Sequence, residues 1–136
     1  MKNFLREQRT TLIYDATKKE YIWVKHIIWA SPLFIKILQE AEHIYIDATF
    51  ITTKDYYQLL IIMAFNKLLD LKIPYIYALM NNKCEKAYDL VLTEISNLIT
   101  LNDTIKIKVQ SITSDFELGL INPYNFHLMK NSIYTY

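Results

Sequence analysis

The chain reads as an α/β domain: a mixed sheet with flanking helices. Two observations predict it. Several segments alternate apolar and polar residues with a period of two, and others recur at three and four residues. These patterns interleave, so that three strands are followed by a helix and then by a fourth strand. A helix in that position permits a parallel crossover back over the sheet, which a simple meander does not need.

The first thirty residues mix charge with aromatics, Tyr14, Tyr21, Trp23 and Trp29 among Lys18, Lys19 and Lys25. Tyr21 to Val24 and His26 to Trp29 are read as two short strands joined at Lys25. The aromatics could stack on nucleic-acid bases, but packing on the core is the favoured reading, and His26 is assigned to packing as well. Ser31-Pro32 is a helix start, with serine as N-cap and proline at the first helical position. Leu33, Phe34, Ile37, Leu38 and Ala41 then share a helical face across residues 31–41.

Residues 43–50 alternate: Ile44, Ile46, Ala48 and Phe50 face one way, and Tyr45, Asp47 and Thr49 the other. Tyr57 to Phe65 and Pro74 to Met80 are nearly continuous apolar runs, as in strands covered on both faces. Residues 67–72 between them, charged at Lys67, Asp70 and Lys72, suggest a hairpin. With a single glycine and three prolines, connections are expected to be polar loops rather than glycine turns. Tyr88, Val91, Leu92, Ile95, Leu98 and Ile99 mark a helix over 85–99, with Asn82 and Glu85 as a capping box. Ile105 to Thr113 alternates again and ends at Asp115, and a further helix is expected from Glu117 to Ile121.

Composition narrows the function classes. Hydrophobic residues at 52% and charged residues at 21% exclude a disordered chain. Cys84 is the only cysteine, so an intrachain disulfide and a cysteine-rich zinc site are excluded. His43 and His127 have no cysteine partner, and zinc is not expected there. The longest apolar run, Leu59 to Phe65, falls well short of the roughly 18 residues that span a bilayer, and the N-terminus has no signal-like apolar region. No membrane partner is expected, and the protein reads as intracellular. The net charge is only +1, but residues 1–40 carry seven basic and four acidic side chains and the remainder eight and ten, so a basic face would lie upstream.

Two aspartates carry the chemistry. Asp47 and Asp115 each end a hydrophobic run, and a carboxylate in an apolar strand is costly unless something compensates it. A shared cation would do so. If the first strand is central and the fourth returns beside it in parallel, the two carboxylates meet. They would then hold Mg²⁺ or Mn²⁺, which prefer oxygen ligands. Plainer roles remain open: a strand-end aspartate bonded to backbone or Thr49, and for Asp115 an acid in the first turn of a helix.

Asp47-Ala48-Thr49-Phe50, Tyr57-Gln58-Leu59-Leu60, Pro74-Tyr75-Ile76-Tyr77-Ala78-Leu79, Asn82-Lys83 with Glu85 and Tyr88, and Ser114-Asp115-Phe116-Glu117 resemble, in order and spacing, the MULE transposase domain of Mutator-like elements. The resemblance covers about residues 43–122. It implies an RNase H-like fold, Asp47 and Asp115 as the first two acids of a catalytic DDE-type triad, and metal-dependent cleavage and strand transfer of DNA. It further implies transposon ends and target DNA as partners, a homo-oligomer as one option, and a nuclear location if the host is eukaryotic. Residues 1–42 then form an N-terminal flanking segment and 123–136 a truncated C-terminal one. The departure lies there: no acidic residue follows Glu117, so the third catalytic carboxylate is missing unless Glu117 supplies it. Ser114 and Glu117 also spell a capping box, the favoured role for Glu117. The resemblance thus implies a C-terminally incomplete transposase with impaired cleavage, and the alternative is a non-catalytic DNA-binding or protein-interaction module derived from one.

Overall fold

The computed structural model describes residues 5–51, 53–100, 108–114 and 133–135. Among them run β1 (Leu5–Asp15), β2 (Glu20–Ala30), α1 (Pro32–Glu40), β3 (His43–Phe50), β4 (Gln58–Asn66), β5 (Leu71–Met80), α2 (Glu85–Thr100), β6 (Ser111–Ser114) and β7 (Ile133–Thr135). The strands form one mixed sheet in the order β1-β2-β5-β4-β3-β6-β7. The pairs β1–β2, β2–β5, β5–β4 and β4–β3 are antiparallel, and β3–β6 and β6–β7 are parallel. The expected α/β class and mixed sheet are therefore present.

Both helices pack on one face. Ile44, Ile46, Leu60, Ile62, Ile76, Ala78 and Ile112 project from the strands into a cluster with Ile35 and Leu38 of α1 and Val91, Leu92, Ile95 and Ile99 of α2. Each such side chain contributes roughly 1.5 to 3 kcal/mol on leaving water. Two buried amides tie the layers polar-to-polar: Gln39 Nε2 donates to the Ile99 carbonyl at 2.7 Å, and Gln58 Nε2 to Tyr88 Oη at 3.1 Å. Gln58 and Tyr88, which carry part of the family resemblance, thus meet in the core.

Several expectations are corrected. The two short strands around Lys25 are one strand of eleven residues, and its partner β1, hidden in charged and hydroxyl residues, was not foreseen. Trp23, Tyr21 and Tyr14 do not pack on the core; they are 58%, 69% and 43% exposed. In α1 the buried residues are Ile35, Leu38 and Gln39, while Leu33 and Ile37 are exposed. A nine-residue helix apolar on most sides leaves its face to tertiary packing. Ser31 makes no side-chain cap, and its carbonyl instead accepts the Ile35 N–H at 2.9 Å. Asn82 Oδ1 accepts the Cys84 N–H at 2.8 Å, so it caps α2 as an Asx turn. The described part of the fourth predicted strand is limited to Ser111–Ser114; before it, Lys108 and Gln110 give their N–H groups to the Gln39 and Glu42 carbonyls at the end of α1 and beyond it. The strand at 133–135 had no counterpart in the sequence reading, and the helix expected at 117–121 lies outside the described residues.

The hairpins close without glycine. Lys19 and Asp70 adopt φ 54° at the ends of the turns 16–19 and 67–70. Asp15 Oδ1 and Asn66 Oδ1 brace those turns by accepting backbone N–H groups. Pro74 is tolerated inside β5 because β5 bulges at the adjacent Tyr75 and β2 pairs only from Ile76 onward.

A charged cluster joins the N-terminal hairpin to α2. His26, 1% exposed, donates from Nε2 to Glu94 Oε2, and Arg9 lies 3.8 Å from Glu94 Oε1. Burial pushes the Glu94 carboxyl up, but hydrogen bonds from Glu7 and His26 and the charges of His26 and Arg9 outweigh it and hold the group below its ordinary value. The neighbouring Glu7 moves the other way, raised first by its interaction with the Glu94 side chain and then by burial and by the Glu94 charge, against the opposing pull of Arg9.

Because folding lowers Glu94, its contribution is complete above the ordinary carboxylate value and is lost as pH falls through the lowered one. Glu7, raised, contributes below its ordinary value and loses that contribution as pH rises through the raised one. Thermal unfolding followed from about pH 6 to about pH 3 should show the wild type losing stability on the acid side. Glu94→Gln should be less stable at neutral pH and decline less steeply. Parallel curves would remove the cluster from the pH dependence.

Candidate functional site

Alternation divides β3 cleanly. Ile44 and Ile46 enter the core, while His43, Tyr45, Asp47 and Thr49 occupy the face opposite the helices. In β6, Ile112 and Ser114 are buried and Ser111 and Thr113 share the outer face with His43. The parallel register pairs His43 with Ser111, Tyr45 with Thr113 and Ile46 with Ser114. Each predicted carboxylate therefore follows directly on a paired residue: Asp47 after Ile46, Asp115 after Ser114. Asp115, Glu117 and His127 themselves lie outside the described residues.

Asp47 is exposed. The desolvation cost of a carboxylate in an apolar strand is thus absent, since the carboxylate sits on the wet face and only its strand neighbours are buried. Its surroundings are polar all the same. His43 lies at the start of the strand with Nδ1 hydrogen-bonded to Ser111 Oγ and Nε2 2.9 Å from Thr113 Oγ1. A neutral imidazole has one N–H and one acceptor nitrogen, so one hydroxyl donates to the ring and the other accepts from it. Next along the strand, the Tyr45 ring stands 4.5 Å from the His43 ring, and Lys72 Nζ lies 4.4 Å from the Tyr45 ring centroid. Sequence reasoning found Asp47 and missed the histidine clamp. The signal was present in Ser111, Thr113 and Asp115, three polar residues at a spacing of two.

Register also connects this site to the far edge of the sheet. Arg6 pairs with Trp29, Trp29 with Tyr77, Tyr77 with Ile61 and Ile61 with Asp47. Directly opposed residues share a face, so these five side chains form one row across the face that bears Asp47. It spans four strand spacings, about 19 Å. A groove of about 500 Å³ lies elsewhere, lined by Glu40, Glu42, His43, Lys67 and Tyr75 among others; it touches the amino end of β3 and does not include Asp47. Among the described residues no three His, Cys, Asp or Glu side chains are grouped to hold a metal ion, and none of the helices is long and apolar enough to cross a membrane.

No family model, curated protein or solved structure matches the chain.

The clamp makes a measurable claim. His43→Ala should cost about 1 to 2 kcal/mol of stability by urea unfolding, the range for a lost part-buried hydrogen bond and its unpaired partner. A double-mutant cycle with Thr113→Val should give a coupling above about 0.5 kcal/mol. Additive losses would show that the ring does not join the two strands.

Proposed function

We propose that the chain is an RNase H-like domain of the Mutator-like transposase lineage, with a divalent-cation site built on Asp47 and Asp115. The observation that carries this reading is the in-register parallel pairing of β3 and β6, which leaves both aspartates one residue beyond paired positions. An antiparallel trio, a helix and a parallel strand beside the first strand of the trio make the arrangement that the resemblance implies. The parallel β7 beside β6 extends it. The exposed Asp47, hydroxyls on the same face and the carboxyl-end location suit a hard cation with oxygen ligands.

Asp47 and Asp115 would hold Mg²⁺ or Mn²⁺, with Glu117 as the remaining acidic candidate. Such ions activate water and stabilise the oxygens of a phosphodiester displacement, so no protein nucleophile is required. DNA is the implied substrate, and cleavage followed by strand transfer the implied reaction. The non-catalytic alternative keeps the same fold and binds DNA without cutting it.

Calorimetry should show Mn²⁺ binding to the wild type and weakening by more than about tenfold in Asp47→Ala, since even outer-shell ligand losses cost that much. Equal heats in the two proteins, or none in the wild type, would eliminate the site. If chemistry is retained, Mn²⁺-dependent nicking of supercoiled DNA disappears in Asp115→Asn. Cation binding without nicking selects the non-catalytic module.

A further inference from the structure

The β1–β2 hairpin has two chemically different faces. Opposed pairs on the inner face are Ile13 with Ile22 and Thr11 with Val24, followed by Arg9 with His26 and Glu7 with Ile28. Ile13, Ile22 and Val24 pack into or against the core. The outer face carries Tyr14 opposite Tyr21, Leu12 opposite Trp23, Thr10 opposite Lys25, Gln8 opposite Ile27 and Arg6 opposite Trp29. All three carboxylates of the hairpin strands, Glu7, Asp15 and Glu20, fall on the inner parity. The outer face has only the cations Arg6 and Lys25, with Lys18 and Lys19 exposed in the adjoining turn.

Burying Tyr21 and Trp23 on the core is impossible at this register, and water is a poor neighbour for a tryptophan that is 58% exposed. The rings are nevertheless ordered by the strands. Tyr14 and Tyr21 meet edge-to-face with centroids 5.2 Å apart, and the Arg6 guanidinium lies 5.9 Å from the Trp29 ring centroid. Asn81 fixes the backbone under the patch, accepting the Lys25 N–H at 2.8 Å and donating to the Trp23 carbonyl at 3.1 Å. From Tyr21 to Trp29 this outer parity of β2 extends about 27 Å, with Lys25 and the buried Ile27 between Trp23 and Trp29. At Trp29 it joins the row that leads through Tyr77 and Ile61 to Asp47.

We propose that this face is a stacking platform for single-stranded DNA. Rigid exposed rings supply base stacking without sequence preference, and a surface with cations and no carboxylate complements a phosphate backbone. A bilayer is disfavoured because the cations are not clustered: Arg6, Lys25, Lys18 and Lys19 are spread along the length of a flat, only partly apolar hairpin. The choice of DNA over RNA rests on the transposase reading; the stacking surface itself does not. The shared row gives the bound strand a path from the hairpin to Asp47.

Fluorescence titration of the full chain with an oligothymidylate of about 20 nucleotides tests the proposal. Binding should quench tryptophan emission. Trp23→Ala should raise the dissociation constant at least about fivefold, whereas Trp23→Phe keeps most of the affinity. Lys25→Gln should lower the salt slope by about 0.7. Asp47→Ala should bind the oligonucleotide as the wild type does, so loss of the cation site and loss of the platform are read separately. The proposal is overturned by no quenching at low salt, by unchanged affinity in Trp23→Ala, by tighter binding of duplex or of oligouridylate, or by self-association that buries Trp23 in place of DNA.

Discussion

Strands 68 residues apart in sequence, from His43 to Ser111, are held in a parallel ladder, and the rest of the molecule depends on that pairing. Parallel neighbours cannot be joined by a tight turn, so the chain must cross a whole layer between them. α2 is that layer. It follows β5, lies on the sheet beside α1 with Tyr88 bonded to Gln58 of β4 and Glu94 to His26 of β2, and precedes β6 on the far side of β3. The ladder therefore fixes where the helix lies and which faces of four strands become core.

The same ladder divides chemistry from packing. Its inward positions, Ile44, Ile46 and Ile112, are at most 4% exposed. Its outward positions are Tyr45 and the His43, Ser111 and Thr113 side chains that hydrogen-bond across the strands. A slip of one residue would invert both sets. The register that buries isoleucine is consequently the register that presents His43 and Asp47, and stability and any site on this face are selected together. The Glu94 cluster does comparable work at the other end, anchoring the hairpin to α2 through a buried histidine and the nearby Arg9.

What could be read from the sequence follows from how local each feature is. α2 was legible because sixteen residues repeat one period with a polar opposite face. β3 was legible because its alternation is strict. α1 was placed correctly but rotated wrongly, since a short, apolar helix carries too little contrast to name its buried side. β1 was missed because an edge strand needs few apolar residues, and its inward Glu7 and Arg9 answer to Glu94, some ninety positions later. Asp47 was found for a reason that did not hold: its neighbours are buried, but its own face is wet. Alternation alone contained that answer, because Asp47 shares parity with Tyr45 and Thr49 rather than with Ile46.

Exposure changes what the aspartate can do. A buried carboxylate would demand a permanent cation to offset its desolvation. An exposed one is stable without it, so a cation bound there would come and go at little cost to the fold. It follows that the outer side of the sheet can be remodelled by mutation more freely than the helix side, where Ile44, Ile46, Ile62 and Ile112 are committed to packing. A face free to vary, ordered by a core that is not, is the usual way a fold carries function. Here the two are separated by a single residue step along β3.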